Sequence, residues 1–393
     1  PIPQLYEFVD DDDDHNGLPE WERPYQLSSD GIAWPGYDEN GDFLNDHNQN
    51  GNFIPDYEEP FLRFASDRPE FLFGMDMNHN GTIDRFENDE LADYPYKADH
   101  RGVNAYLKAR IGPDAQLTVG RQRLRLMAGD GRTEAWYVLG SWDHQLANGR
   151  LRLVEYGALV RDDIADDLVQ WFQPVDARGR MQTVLDDLPA RNTWKHILYA
   201  DWEQRFASGV RLQHRAKWEL LRQRDGDGAL KSREGRRTGG FVGLINRGQW
   251  SIPVGLATLQ PRFKSEFRRE RPYSTRRPHN TTLEEIAILL WSQPLMAEQV
   301  TVGYFPGYGR QSFRTTLELG LETSRFWLLD GQRDDVEEDF WRWTVICQLT
   351  NRVAYQGYLL VTRTGLRLSE WRFESGRDQR TNLVFLTINA GLR

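Results

Sequence analysis

The sequence predicts an all-β, antiparallel protein. Three observations carry that prediction. From about residue 102 onward, apolar and polar side chains alternate with a period of two, the signature of strands with two unlike faces. Many alternating segments run ten residues or more, longer than the usual five or six of a soluble sheet. The connections between them tend to alternate between short turns and long charged loops.

Taken in chain order, the alternation marks about 13–14 strands, at 103–111, 116–127, 134–144, 149–161, 193–206, 210–222, 238–250, 256–269, 283–292, 298–306, 314–323, 340–352, 357–373 and 381–393. At 210–220 one face carries Val210, Leu212, Ala216, Trp218 and Leu220, and the other Arg211, Gln213, Arg215, Lys217 and Glu219. At 256–268, Ala257, Leu259, Pro261, Phe263 and Phe267 oppose Thr258, Gln260, Arg262, Lys264, Glu266 and Arg268. At 340–352, Trp341, Trp343, Val345, Cys347 and Leu349 oppose Arg342, Thr344, Gln348 and Arg352. The last strand sets Val384, Leu386, Ile388, Ala390 and Leu392 against Leu383, Phe385, Thr387 and Asn389. Segments 112–115, 146–149, 207–209 and 252–255 are short connections, whereas 162–192, 224–237 and 271–282 are long and rich in charge.

Long strands, dyad alternation and the asymmetry of the connections resemble a bacterial outer-membrane β-barrel of the porin type. The 14 Trp and 15 Tyr suit aromatic girdles at the two membrane interfaces. Arg, Lys or Glu on the second face of nearly every strand suits a wet lumen. The stretch Leu117-Thr118-Val119-Gly120-Arg121-Gln122-Arg123-Leu124 is similar to a strand of bacterial porins. The expectation for residues 101–393 is therefore an antiparallel transmembrane β-barrel, either whole or the C-terminal portion of a larger one. A soluble sandwich or jelly roll shares the alternation but accounts less well for strand length and loop asymmetry. The final Arg393 departs from the terminal aromatic of most such barrels.

Residues 1–100 have a different character. They hold 25 Asp and Glu against 5 Lys and Arg, a net of −20; the rest holds 34 against 44, a net of +10, and the two recover the −10 of the whole chain. An acidic segment of that density repels itself unless cations screen it. Its sequence offers the ligands. Asp76-Met77-Asn78-His79-Asn80-Gly81-Thr82-Ile83-Asp84-Arg85-Phe86-Glu87 has the oxygen spacing of a Ca²⁺ loop. Asp76, Asn78 and Asn80 aim side-chain oxygens at one point, Gly81 permits the turn, and Thr82 supplies its carbonyl. Asp84 binds directly or through water, and Glu87 closes the site with two oxygens.

The same grammar recurs less completely upstream. Asp46, Asn48 and Asn50 precede Gly51, with Asp56 and Glu58 following late. Asp12, Asp14 and Asn16 precede Gly17, with Glu20 downstream. Residues 38–42 hold a fragment better explained as a turn. The segment resembles the EF-hand-like and thrombospondin-type calcium loops of secreted proteins, over residues 10–90 only. Pro19, Pro55, Pro60 and Pro69 argue against the flanking helices of a true EF-hand. His15, His47 and His79 fall at loop positions that point away from the ion.

Other chemistry is discounted. The single Cys347 rules out an internal disulfide and sits on an apolar strand face, where packing or lipid contact explains it better than a nucleophilic role. No G-x-S-x-G occurs. His144, His196, His214 and His279 are isolated along the chain and suit girdle or surface positions. The pairs Asp162-Asp163, Asp166-Asp167 and Asp186-Asp187 crowd one long loop and read as solvated or ion-binding. Arginines alternate with apolar residues rather than forming a patch, which argues against nucleic acid. No run of about twenty apolar residues supplies a transmembrane helix.

The expected function is non-enzymatic: a calcium-stabilised outer-membrane barrel serving passive transport of anionic or polar solutes, or scaffolding a surface complex. Its partners would be outer-membrane lipid and other outer-membrane or surface proteins. The alternative is a surface binding or adhesion protein whose recognition segment calcium rigidifies. Strand parity places the acidic segment outside the cell, with further strands expected before Pro1; a periplasmic segment stays open because the alternation of connections breaks down around 300–339.

Overall fold

A computed structural model describes residues 57–68, 71, 100–164, 167–172, 180–185, 192–224, 236–271, 279–301, 310–331, 339–355 and 358–392. The strands are β1 (His100–Ile111), β2 (Ala115–Leu126), β3 (Arg132–Leu146), β4 (Gly149–Asp162), β5 (Asp167–Phe172), β6 (Arg180–Leu185), β7 (Thr193–Arg205), β8 (Val210–Gln223), β9 (Thr238–Trp250), β10 (Ile252–Val254), β11 (Ala257–Arg271), β12 (Asn280–Thr301), β13 (Arg310–Asp330), β14 (Phe340–Tyr355), β15 (Tyr358–Phe373) and β16 (Asp378–Leu392). Fourteen of them form one sheet, in the order β1-β2-β3-β4-β7-β8-β9-β11-β12-β13-β14-β15-β16, with β10 paired to β11. β5 and β6 make a separate two-stranded ribbon. The order does not return on itself: among the described residues no ladder joins β1 to β16, so the sheet is not closed.

The all-β antiparallel expectation holds, and most expected strands appear within a few residues of their place. Two corrections follow from the pairing. The segments expected at 283–292 and 298–306 are one strand, the 22-residue β12. Its register against β13 shifts between Pro294 and Met296, so an irregularity carries the ladder through what the alternation marked as a break. The merger does not restore the alternation of short and long connections: eight residues separate β12 from β13 and nine separate β13 from β14, so the order still breaks down around 300–339. The second correction is the β5–β6 ribbon, which lies inside the long charged connection at 162–192, where no strand was expected.

The chain divides into two compact units. The first comprises Pro1–Trp202, His214–Leu244 and Arg268–Asn280; the second comprises Glu203–Gln213, Ile245–Phe267 and Thr281–Arg393. In the first unit, β1–β4 form a consecutive antiparallel meander. Ala135, Tyr137, Tyr156, Ala158, Val160 and Ile197 bury together on one side of β3, β4 and β7. In the second unit, β12–β16 form another such meander. The tight corner at 206–209 between β7 and β8 needs a left-handed residue, which Gly209 supplies at φ 82°; the Gly209 N–H donates to Phe206 O at 3.0 Å.

Burial on this sheet is inverted relative to a soluble protein. Across β13–β16 of the second unit, the register aligns Leu319, Cys347, Leu366 and Val384 in one row, and all four are exposed. A neighbouring row on the opposite face aligns Glu322, Thr344 and Ser369, all buried. The first unit repeats the apolar exposure with Leu117, Val119, Trp136, Val138, Trp142 and Leu159. Among the described residues the buried set holds 22 polar or charged residues against 19 apolar ones. A water-soluble domain hides its large apolar side chains and almost never fully buries Lys, Glu or Arg; here many large apolar side chains are exposed while Lys264, Glu266, Glu322 and Arg342 are buried beside apolar neighbours.

Candidate functional site

The chemistry of this protein concentrates on the buried face, because strand alternation sends every second side chain there and the sequence puts charge at those positions. In the second unit the pattern yields paired charges. Lys264 Nζ lies 3.2 Å from Glu266 Oε2, one alternation apart on β11, and Lys264 is only 1% exposed. Arg342 on β14 reaches Glu322 on β13 at 3.7 Å and stacks over the Trp371 ring at 5.7 Å from its centroid. Glu318 Oε2 accepts from Gln348 Nε2 at 2.6 Å and from the Thr350 hydroxyl at 2.8 Å. The Thr344 and Ser369 hydroxyls bond each other at 3.0 Å. Arg247 donates to Gln213 Oε1 at 3.0 Å, and Gln213 to Glu203 at 3.4 Å. Buried ions need partners because burial without one costs several kcal/mol, and each cation in this set faces an acceptor.

In the first unit the buried face receives a guest from the acidic segment. Residues 57–68 fold into consecutive turns closed by Arg63 N→Glu59 O at 3.0 Å and Ser66 N→Leu62 O at 3.2 Å. Phe61 sits at φ 68°, a left-handed position costly for a bulky residue. Glu59, Arg63, Phe64, Ser66 and Asp67 of this segment are buried. Asp67 Oδ2 accepts from Arg215 Nη1 at 2.7 Å, and Arg215 Nε lies 3.3 Å from Asp201 Oδ2. Arg152 stands 3.8 Å from the same Asp201 oxygen. One guanidinium on β8 thus bridges a carboxylate of the acidic segment and a carboxylate of β7.

Four residues on, Phe71 is 2% exposed and meets Phe241 edge-on, ring centroids 5.4 Å apart. The fit depends on Gly243: a Cβ there would come within 2.4 Å of the Phe71 ring. Lys217 lies over the other partner, 5.8 Å from the Phe241 centroid.

The exposed face carries charge mainly at its margins. On β15 the alternation that exposes Leu360 and Leu366 continues to Glu370, itself buried, and to exposed Arg372. Glu370 accepts from Arg372 Nε at 2.8 Å and lies 3.2 Å from Arg380 Nε. The Arg372 hydrogen bond, with the charges of both arginines, holds the Glu370 carboxyl below the usual range; the same bond raises Arg372. At the equivalent margin of the first unit Glu134 pairs with Arg121, and that hydrogen bond lowers its carboxyl too. An exception lies within the apolar face: Glu155, 65% exposed, bonds His196 Nε2 at 2.9 Å. His196 stacks on Trp194 and meets Trp218 edge-on. His144 likewise stacks on Trp142 and bonds Asp114 at 2.7 Å. Both histidines pack against tryptophan rings.

Of the expected calcium ligands, Glu58 alone lies among the described residues. It is half exposed and pairs with Arg68 at 3.4 Å. Asp12, Asp14, Asn16, Glu20, Asp46, Asn48, Asn50, Asp56, Asp76, Asn78, Asn80, Thr82, Asp84 and Glu87 lie outside the described residues. Among the described residues no group of three or more His, Cys, Asp or Glu side chains is placed to share a metal ion. Sequence reasoning put Arg215, Lys217, Lys264, Glu266 and Arg342 on the polar face. It missed that Asp67 and Phe71 come to that face, because no local pattern links positions so far apart in the chain.

No family model matches the chain, nor does any curated protein or solved structure.

Proposed function

We propose that the chain is a calcium-stabilised β-barrel protein of the bacterial outer membrane, that its apolar face meets lipid, and that its charged face lines a route for polar or anionic solutes. The single observation that carries this reading is the burial pattern: on β13 Leu321 is 49% exposed beside Glu322 at 1%, and on β11 Phe263 is 44% exposed beside Lys264 at 1%. Lipid is the solvent that rewards this arrangement. An exposed apolar area of this extent would drive aggregation in water, whereas in a bilayer only the backbone and the polar face need internal partners.

The dimensions agree. On β15 the face from Leu360 through Thr362, Thr364 and Leu366 to Leu368 is free of charge over nine residues, roughly 27 Å along the strand at about 3.3 Å per residue. A tilted transmembrane strand needs about 9–11 residues. Beyond Leu368 come Glu370 and Arg372, charges suited to the headgroup boundary. A barrel also requires partners for the open edges of β1 and β16, either each other or further strands in the same membrane. Solute selection would be electrostatic, by Arg and Lys set among carboxylates, with no chemical step. Calcium would act as a staple in residues 1–100, where extracellular loops bind in the weak range that abundant Ca²⁺ fills.

Two measurements on the full chain test this. The protein should require detergent to stay dispersed and should insert into lipid vesicles; partition into the aqueous phase without detergent would end the membrane reading. In a planar bilayer it should conduct, favouring anions. A membrane-inserted but silent protein under every condition would leave the adhesion or scaffold role in place of transport.

A further inference from the structure

We propose that residues 57–68 together with Phe71 are a plug: a short segment of the acidic region that seats on the charged face of the first unit, closes the solute route there, and leaves when its two anchors are broken. This rests on the transport reading above and adds regulation to it.

Three observations support a built seat. Polar and apolar anchors act together, with Asp67 on Arg215 at 2.7 Å and Phe71 against Phe241 at 5.4 Å between centroids. The receiving strands are shaped for the guest, since Gly243 leaves the space that the Phe71 ring fills and any side chain there would collide with it. The guest buries charge: Asp67, Glu59 and Arg63 are all buried, and they are charged residues of a segment that otherwise carries an excess of negative charge. Burying ions in a seat is costly unless the seat supplies partners. Arg215, flanked by Asp201 with Arg152 beyond, supplies one in place of water.

A plug also fits the electrostatics of passage. Arg215, set beside Asp201, is the cation that an anionic solute would meet at the seat, and Asp67 occupies it as a tethered anion. Solute and plug therefore compete for one guanidinium. The net of −20 over residues 1–100 and the +10 of the remainder attract each other.

The test uses the full-length protein in planar bilayers with chloride as the permeant anion, comparing wild type, Asp67→Asn and Phe71→Ala. The two variants cut separate anchors, so a folding failure in one leaves the other to report. Trypsin cleavage at Arg63, buried in the docked state, reads release of the segment independently of conductance. The expected result is faster cleavage at Arg63 in both variants and a rise in open fraction of about tenfold, the equivalent of about 1.4 kcal/mol taken from the docked state. Wild type conducting as freely as both variants would overturn the plug while leaving the transport reading intact. Faster cleavage with every protein remaining silent would overturn transport itself, and the plug with it.

Discussion

Arg215 and Asp67 are 148 positions apart in the chain and 2.7 Å apart in the structure. The same guanidinium reaches Asp201 at 3.3 Å, so one cation on β8 serves two carboxylates that are themselves almost wholly buried. The unequal sharing makes a directional prediction. Arg215→Ala removes the cation common to both acids, whereas Asp67→Ala leaves Arg215 beside Asp201. The arginine substitution should cost on the order of 3–5 kcal/mol, the range for breaking a buried pair from one side, and Asp67→Ala distinctly less. Denaturant midpoints in detergent check the order; equal losses would mean that the bridge is not shared.

A second prediction concerns the exposed apolar face. Leu319, Cys347, Leu366 and Val384 lie in one row across β13–β16. In lipid a charge in that row has no partner, so Leu319→Lys should destabilise the inserted protein by roughly 2–4 kcal/mol. In water, a Lys at an exposed strand position would cost little and would improve solubility. Reversible unfolding from vesicles separates the two cases, and a neutral result would remove lipid from that face.

Cys347 gives the same row a chemical probe, since it is the chain's only cysteine and is exposed. In vesicles it should react readily with an apolar maleimide and poorly with a membrane-impermeant charged one. Solubilisation in denaturant should equalise the two. Ready labelling by the charged reagent in intact vesicles would place the row in water.

Sequence and structure agree where a side chain's role depends on its immediate neighbours. Alternation alone placed Trp341, Trp343, Val345, Cys347 and Leu349 opposite Arg342, Thr344 and Gln348, because the strand period sends successive residues to opposite faces regardless of what covers them. It failed at β12, where Pro294 and the shift before Met296 interrupt the pattern although the ladder continues. It also left the β5–β6 ribbon inside a loop, since the charges of that region mask its two short apolar runs. The seat of Asp67 and Phe71 was beyond its reach: what recognises them is Arg215, Phe241 and the absence of a side chain at Gly243, three positions joined only by the fold.

Calcium supplies a fourth prediction. Residues 76–87 carry the most complete loop, so Asp76→Ala with Glu87→Ala should lower the bound Ca²⁺ stoichiometry of the full chain, and chelation should speed proteolysis within residues 1–100. Direct metal analysis after gel filtration checks the first and a time course of cleavage checks the second. Unchanged stoichiometry in the double variant would reduce the motif to a turn.

The last prediction follows from the margin of the apolar face. Glu370 accepts from Arg372 at 2.8 Å and sits 3.2 Å from Arg380. The Arg372 hydrogen bond, helped by the charge of Arg380, holds its carboxyl below the usual 4.5. A folded value lower than the unfolded one means that the unfolded chain binds the proton first. The contribution of this cluster is therefore complete above the usual value and is lost as pH falls through the depressed folded one. Glu370→Gln has no such proton to take up. Its melting temperature should fall less steeply than that of wild type as the medium is acidified from neutral to below 4.5, while the two proteins differ most at neutral pH. The cluster is exposed on its arginine side, so salt should shrink that difference by screening. Parallel acid profiles for the two proteins would show that Glu370 titrates alike folded and unfolded, and that the arginines at this margin hold no carboxylate in place.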